Sequence, residues 1–318
     1  SLVDTNLSRY EVYDDLFPSR KEGINAWITI MRGCDKFCTF CIVPFTRGRE
    51  RSRSIDGIIN EVKNAIKDGF TEVTLLGQNV NSYNYDDNKF SILLENIAKV
   101  SGLKRLRYTS PHPQDITIEL LETMAKYDNI CNSVHLPLQS GSNKILKRMN
   151  RTYTRDHFID IAHKIRTILP NAGISTDIIV GFPGESEKDF ADTINVMNKV
   201  NFDSAFTFKY SSRRGTKASE YEDHINEDIK QSRLEQVISL QKSHTILRNQ
   251  SYVGKIENVL IEKQSKRSLN KWAGRTDSNK WVIFDKEDSG IKDIVPVLIM
   301  EARDISLHGK IIKKAKAA

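Results

Sequence analysis

Six short apolar runs alternate with helix-period segments between residues 25 and 210, and this alternation narrows the fold more than any other feature of the chain. Asn25–Met31, Val73–Leu76, Arg105–Thr109, Ser133–Leu136, Ile174–Val180 and Ala205–Phe208 have the length and apolarity of buried strands. Between them, Ile55–Lys67, Phe90–Val100, Ile116–Lys126, Arg155–Ile168 and Lys188–Val200 carry apolar residues at helical spacing. Ile58, Ile59, Val62 and Ile66, for instance, share one face. Strands alternating with helices build βαβ units around a parallel sheet. Six units are too few for a closed eight-stranded barrel, so the expected fold is α/β, a partial (βα)6 barrel.

The texture then changes. Asn226–Asn249 reads as one long amphipathic helix carrying Ile229, Leu234, Val237, Ile238, Leu240 and Gln241. After Ser251 come short β-rich runs, Tyr252–Ile261, Trp272–Thr276, Trp281–Phe284, Val295–Ala302 and Lys310–Ile312, separated by polar turns. They predict a small all-β barrel of about five strands. Charge follows the same division. Lys and Arg number 48 against 41 Asp and Glu, a net of +7. Residues 250–318 hold 14 basic and 9 acidic residues, whereas the 249 before them hold 34 and 32. A small basic tail domain is the electrostatic footprint of a nucleic-acid binder. No run approaches the roughly 18 apolar residues of a membrane helix, and the start lacks a secretory pattern. A cytoplasmic protein without a membrane partner is therefore expected. Residues 1–22 are polar and unpatterned and read as a linker, followed by domains over 23–249 and 250–318.

Three of the four cysteines, Cys34, Cys38 and Cys41, fall in GCDKFCTFC directly after the first strand; the fourth is Cys131. A disulfide framework is not expected of a long chain with so few cysteines. A redox pair at Cys38 and Cys41 leaves Cys34 unexplained, and a structural zinc lacks a nearby fourth ligand. Thiolates also hold iron–sulfur cubanes. Three of them leave one iron open, able to take an amine and a carboxylate from a small molecule.

CxxxCxxC at the end of the first strand of a partial barrel resembles the radical S-adenosylmethionine enzymes. The longer string RGCDKFCTFCIVPFTRGRERSR resembles the methylthiotransferases among them. LLGQNVNSY (75–83), SPHP (110–113), HLPLQSGS (135–142), KRMNRTY (147–153) and STDIIVGFPGE (175–185) extend the likeness over residues 25 to 315. IVPFTRG and LLGQNVNSY are most similar to the tRNA-modifying branch, the 2-methylthio-N6-isopentenyladenosine synthases. The ribosomal-protein-modifying branch comes next.

The resemblance implies that Cys34, Cys38 and Cys41 bind a [4Fe–4S] cluster whose open iron chelates S-adenosylmethionine, one electron then releasing a 5′-deoxyadenosyl radical. Gly77, Gln78 and Asn79 stand where the family meets the cofactor's amino group, with Leu-Gly-Gln in place of the common Gly-Gly-Glu. Gln139 and Ser140 stand where ribose and carboxylate are met. Ser175 and Asp177 lie in the fifth strand, Asp177 as a carboxylate inside an apolar run, a cofactor contact or half of an ion pair. Phe37 and Phe40 could shield the cluster; His112 and His135 are expected to be structural or to position substrate, and Cys131 to be a buried small hydrophobe. Arg47 and Arg49, alternating with Arg51 and Arg53, would form a basic edge for phosphate if extended. From Gln250 the chain resembles a TRAM domain, in which Lys271, Arg275 and Lys280 beside Trp272 would contact RNA and at least one of Trp272 and Trp281 would fill the core.

The implied reaction adds a methylthio group to C2 of N6-isopentenyladenosine next to the anticodon. Its partners are the tRNA anticodon stem-loop and an electron donor such as flavodoxin or ferredoxin, with no DNA. Two alternatives are a ribosomal-protein methylthiotransferase and a non-catalytic, zinc-containing RNA-binding module. The family carries three further cysteines for an auxiliary [4Fe–4S] cluster in an N-terminal domain. None precedes Cys34 here, so the expectation is a fragment of a larger enzyme, incomplete for full turnover.

Overall fold

The computed structural model describes residues 22–312; the predicted linker lies almost wholly outside the described residues. Six parallel strands form the first unit: Asn25–Thr29, Glu72–Leu76, Arg105–Tyr108, Ser133–His135, Gly173–Val180 and Ser204–Lys209. The first three pair in the register Ala26 to Val73 and Val73 to Leu106. The last three pair as Val134 to Ile174 and Thr176 to Ala205. One parallel bridge, Leu106 to Ile130, joins the two half-sheets. The first and sixth strands are not neighbours in either half-sheet, so the predicted open (βα)6 barrel is what forms.

Strand alternation explains the layering. Ala26 and Ile28 are fully buried under the helices with Ile58, Val62 and Ala65, while Trp27 between them is about half exposed on the opposite side of the strand. The helices Ile55–Lys67, Ile118–Lys126, Arg155–Ile168 and Glu187–Val200 begin at Ser54, Thr117, Thr154 and Ser186, whose hydroxyls accept from the backbone N–H of Gly57, Leu120, His157 and Asp189. Such caps contribute about 1 kcal/mol each and fix where each helix starts.

The second unit closes five strands into a barrel, in the spatial order Ile256–Gln264, Lys271–Arg275, Trp281–Asp285, Ser306–Ile311, Ile294–Arg303. Its core is Val259, Ile261, Val282, Phe284, Val297, Ile299 and Leu307. Gly274 and Gly309 face neighbouring strands so closely that a Cβ would lie 2.3 and 2.4 Å from the carbonyl oxygens of Leu260 and Leu298. Trp272 packs on this core, as expected for one of the two tryptophans.

The small barrel docks on the N-terminal ends of the large barrel's strands. Arg105, fully buried, donates to the carbonyls of Arg275 and Asn258 at 2.6 and 2.7 Å. Arg107 donates to the carbonyls of Thr276 and Asp277 and pairs with buried Glu72 at 2.8 Å. At the far side Asp203 takes Lys280 at 2.9 Å and Arg248 at 3.2 Å.

The long helix, Glu227–Gln250, departs from the expected pattern. Its buried positions include Lys230, Arg233, Val237, Gln241 and His244, while Ile229 and Ile238 are exposed. Charge explains this: Arg233 reaches Glu185 and Glu187, and Gln241 donates to the carbonyl of Phe202. The face that meets the barrel is polar because buried carboxylates and carbonyls wait there. Two short helices, Val43–Arg47 and Asn143–Arg148, were not expected.

Candidate functional site

The cysteine loop leaves the first strand at the C-terminal mouth of the barrel, opposite the small domain. Gly33 turns the chain at φ +86°, where a Cβ would lie 2.0 Å from the carbonyl oxygen of Arg49, so glycine is required there. The Gln78 side-chain oxygen accepts from the Gly33 N–H at 2.7 Å. Thr39 is held by the carbonyls of Met149 and Arg148, and the Asn150 amide donates to the Phe37 carbonyl at 2.9 Å. Cys34, Cys38 and Cys41 are all half-buried. Burial pushes the Cys34 thiol up to about 11, and Glu50 and the other two cysteines push the same way against the Lys36 amide. Burial likewise raises Cys41, with Cys38 adding to it. Burial thus favours the protonated thiol at Cys34 and Cys41, and a bound cation would favour the thiolate instead.

Among the described residues no three His, Cys, Asp or Glu side chains are arranged to grip a single metal ion. A zinc site requires such a grip. A cubane does not, since each thiolate binds its own iron.

Beside Cys41 lies a cavity of about 420 Å³, lined among others by Gln139, Asp177, Ile179, Phe208, Tyr210 and Arg213. That is the size range of small-molecule sites. Gln139 sits at φ +64°, and its buried side-chain oxygen has no partner. An orphaned acceptor costs about 1–3 kcal/mol unless a ligand supplies a donor. Asp177 accepts from, or is paired with, His135 Nε2 at 3.2 Å, and His135 Nδ1 meets Ser175 Oγ at 2.9 Å. Asn79 is buried, donates to Asp115 at 2.8 Å and leaves its own oxygen without a partner. A cavity with an unmet acceptor at Gln139, beside Cys41 of the three-cysteine loop, fits a cluster with a polar small molecule on its open iron.

Asp177 lines the cavity, and several other expected site residues make different contacts. Asp177 is partly exposed in the barrel's interior, because strand alternation aims positions 175, 177 and 179 inward. Ser140 is fully buried, and its hydroxyl serves Ser142 N–H and Thr193. Gln78 braces the Gly33 turn. Gly77 permits close passage of Met31, whose side chain would lie 2.6 Å from a Cβ. The four arginines do not form one basic edge. Arg47 ends a helix, Arg49 pairs with Asp35 at 2.7 Å, Arg51 lies in a two-residue strand and Arg53 is buried against Glu61 at 2.7 Å. Phe40 packs on Phe182, whereas Phe37 is exposed and edges Phe45. His112 is buried; burial, then Arg151 and Lys36, hold its ring down at about 2. Cys131 is buried as expected.

On the small barrel, Lys280 is buried in its pair with Asp203, and Arg275 is spent on Glu72 and Glu262. Neither is free for phosphate, because both bind carboxylates at or near the domain junction. Lys271 is 40% exposed beside Asp285. Two further lysines stand over tryptophan rings, Lys263 4.4 Å over Trp281 and Lys286 4.2 Å over Trp272.

A model of the radical SAM superfamily matches residues 28–197, and a TRAM domain model matches residues 250–312. A tRNA-2-methylthio-N(6)-dimethylallyladenosine synthase of Clostridium botulinum (strain Okra) is 47% identical over 294 residues, covering 92% of this chain and 65% of its own. The synthase of the same name from Carboxydothermus hydrogenoformans is 44% identical over 308 residues, 96% of this chain and 70% of its own. The chain therefore spans just under two thirds of the first of these relatives. Among solved structures, Escherichia coli coproporphyrinogen III oxidase (HemN) superposes with a TM-score of 0.52 at 13% identity, over 80% of this chain and 67% of that one. The methyltransferase TsrM of Kitasatospora setae gives 0.52 at 15% identity, over 62% of this chain and 39% of that one. At such identities these two share the fold alone. No helix among the described residues is long and apolar enough to cross a membrane.

Proposed function

This chain belongs to the radical SAM superfamily and, within it, to the family of the tRNA-2-methylthio-N(6)-dimethylallyladenosine synthases, and from that premise we propose that it acts in adding a methylthio group to C2 of N6-isopentenyladenosine beside the anticodon. The observation that carries the reading is the half-buried three-cysteine loop opening on a cavity with an unmet Gln139 oxygen. Cys34, Cys38 and Cys41 would hold a [4Fe–4S] cluster. Such a cluster with bound S-adenosylmethionine supplies one-electron cleavage of the sulfonium to a carbon radical.

The rest is work for the chain's own side chains. Gln139 offers its free oxygen to a donor on the cofactor, and Asp177, steadied by His135, offers a carboxylate to an ammonium. Ile179, Phe208 and Tyr210 give the cavity an apolar wall against which a ligand can pack. Gly77, Gln78 and Ser140 fix the loops around it, and Asn79 does so while keeping an unmet side-chain oxygen. Residues 23–249 form the catalytic unit, 250–318 the RNA-holding unit, and 1–22 lead into them. With three cysteines committed, only buried Cys131 remains, so an auxiliary cluster would need ligands from outside these 318 residues. The tRNA anticodon stem-loop is the substrate, flavodoxin or ferredoxin the electron donor, and the cytoplasm the place of action.

Nucleoside mass spectrometry tests the reading. tRNA from cells lacking the gene should lose its 2-methylthio nucleoside, a wild-type copy should restore it, and a Cys34→Ala copy should not. Persistence of the nucleoside in the deletion strain overturns the assignment.

A further inference from the structure

The segment Lys147–Tyr153 has no part in the cavity above, yet it forms the wall behind the cysteine loop. The carbonyls of Arg148 and Met149 hold Thr39, Asn150 clamps the carbonyl of Phe37, and Arg151 reaches the loop's middle sulfur. The Arg151 Nη1 donates to Cys38 Sγ at 3.4 Å, Nε to the Tyr153 hydroxyl at 3.1 Å and Nη2 to the Pro137 carbonyl at 3.3 Å. The guanidinium lies 5.0 Å over the Tyr153 ring. Tyr153 is in turn fixed, its buried hydroxyl sharing its one proton between the carbonyls of Pro137 and Leu138, each 2.9 Å away. Each of the three guanidinium nitrogens of Arg151 therefore makes a hydrogen bond, and one is aimed at a cysteine sulfur.

Its charge distinguishes it from its neighbours. Arg148 is met by Asp223 and Arg155 by Asp192. Among the described residues, the hydrogen-bond partners of Arg151 are a hydroxyl, a carbonyl and a sulfur, with no carboxylate. A guanidinium keeps its proton under all working conditions. This one carries its positive charge to a sulfur that would become anionic when it binds iron.

We propose that Arg151 is a positioning residue that raises the reduction potential of a cluster held by Cys34, Cys38 and Cys41, through its hydrogen bond to Cys38 Sγ and its unpaired charge. The inference rests on the cluster reading given above. Reduction adds one electron from an external one-electron donor and makes the cluster more negative. A fixed cation and an N–H donor at a ligand sulfur favour that state.

The test uses the chain reconstituted anaerobically with iron and sulfide, without S-adenosylmethionine, so that cofactor contacts do not enter. Iron and sulfide content are measured first, then the midpoint potential by mediated titration followed by electron paramagnetic resonance. Arg151→Gln should load normally but be reduced tenfold less, relative to its oxidised form, at the wild-type midpoint, a downward shift of about 59 mV for a one-electron couple. Arg151→Lys, which keeps the charge, should recover part of the shift. A fully loaded Gln variant with the wild-type midpoint overturns the proposal, as does a Lys variant displaced as far as Gln. Should the Gln variant fail to fold by circular dichroism, Tyr153→Phe decides. It releases Nε while leaving the charge, and should lower the midpoint by less; an unchanged midpoint overturns the proposal. A wild-type chain that takes up no iron overturns the cluster reading itself, an outcome separate from all of these.

Discussion

Glu72 is the keystone of the domain junction, and Glu72→Gln should loosen it measurably. The carboxylate is fully buried; one oxygen accepts from Arg107 Nε at 2.8 Å and the other from Arg275 Nη2 at 3.1 Å. Glutamine keeps the volume but turns an amide N–H toward one guanidinium, leaves Arg107 without its carboxylate and leaves Arg275 with that of Glu262 alone. Removing one member of a buried pair costs about 3–5 kcal/mol. Both arginines retain other acceptors here, Arg107 the carbonyls of Thr276 and Asp277, Arg275 the side chains of Glu262 and Asn279. The lower end, about 3 kcal/mol, is therefore expected. For a chain of this size about 2 °C accompanies each kcal/mol, so Tm should fall by roughly 6 °C. Thermal unfolding is followed by circular dichroism and by tryptophan fluorescence, since two of the three tryptophans, Trp272 and Trp281, lie in the small barrel. The variant should also separate the two signals, because the pair couples one barrel to the other. Glu301→Gln, in an exposed pair with Arg303, is the control and should leave Tm in place. A Glu72→Gln shift no larger than the control's would refute the assignment of the junction to this network.

Lys263→Ala and Lys286→Ala should each weaken binding of an anticodon stem-loop and lower the salt slope by about one, whereas Lys280→Ala should lower Tm and leave the slope unchanged. Filter binding across a salt series checks this, and a slope that falls for Lys280→Ala but not for the other two would reverse the assignment. Burial, then Arg151 and Lys36, hold the His112 ring at about 2, against about 6.5 in an unfolded chain. The unfolded state therefore binds the extra proton between these values, so the stability is complete above pH 6.5 and declines as pH falls, by up to about 1.4 kcal/mol per unit. The Tm difference between pH 7 and pH 5 should be smaller in His112→Gln than in wild type, and an equal loss in both would exclude His112 as the source.

The barrel was legible in the chain because its signals are local. A strand such as Ile174–Val180 and a helix such as Arg155–Ile168 are written in their own residues, and their ends lie within a residue or two of expectation. The cysteine loop was legible for the same reason. What stayed hidden depends on partners distant in sequence. Arg275 and Lys280 look like RNA contacts until Glu72 and Asp203 arrive from 203 and 77 positions away. The long helix looks amphipathic until buried Glu185 claims Arg233. The arginines at 47, 49, 51 and 53 look periodic until a helix end, Asp35, a short strand and Glu61 each take one. Charged side chains are the least predictable from sequence, because their place is decided by whichever opposite charge the fold brings near. Arg151 belongs to this class: its motif was visible, but its aim at Cys38 was not.

The two ends of the large barrel carry different burdens, and one polar chain connects them. The cysteine mouth is built from tight turns and half-buried sulfurs. The opposite end is sealed by charged pairs that hold the small barrel in a fixed orientation. That seal is incomplete. A second cavity, of about 470 Å³, is shared by Ser175, Ala205 and Gln241 of the large unit and by Asn279, Trp281 and Ile305 of the small one. Ser175 on this cavity meets His135, and His135 meets Asp177 on the cysteine-side cavity, so a single imidazole spans the interior between them. On the proposed function, Trp281 of the small barrel faces one end of this path and the cysteine loop the other. The junction at Glu72 would then set reach as well as stability: loosening it should impair placement of the target base even where RNA affinity is kept.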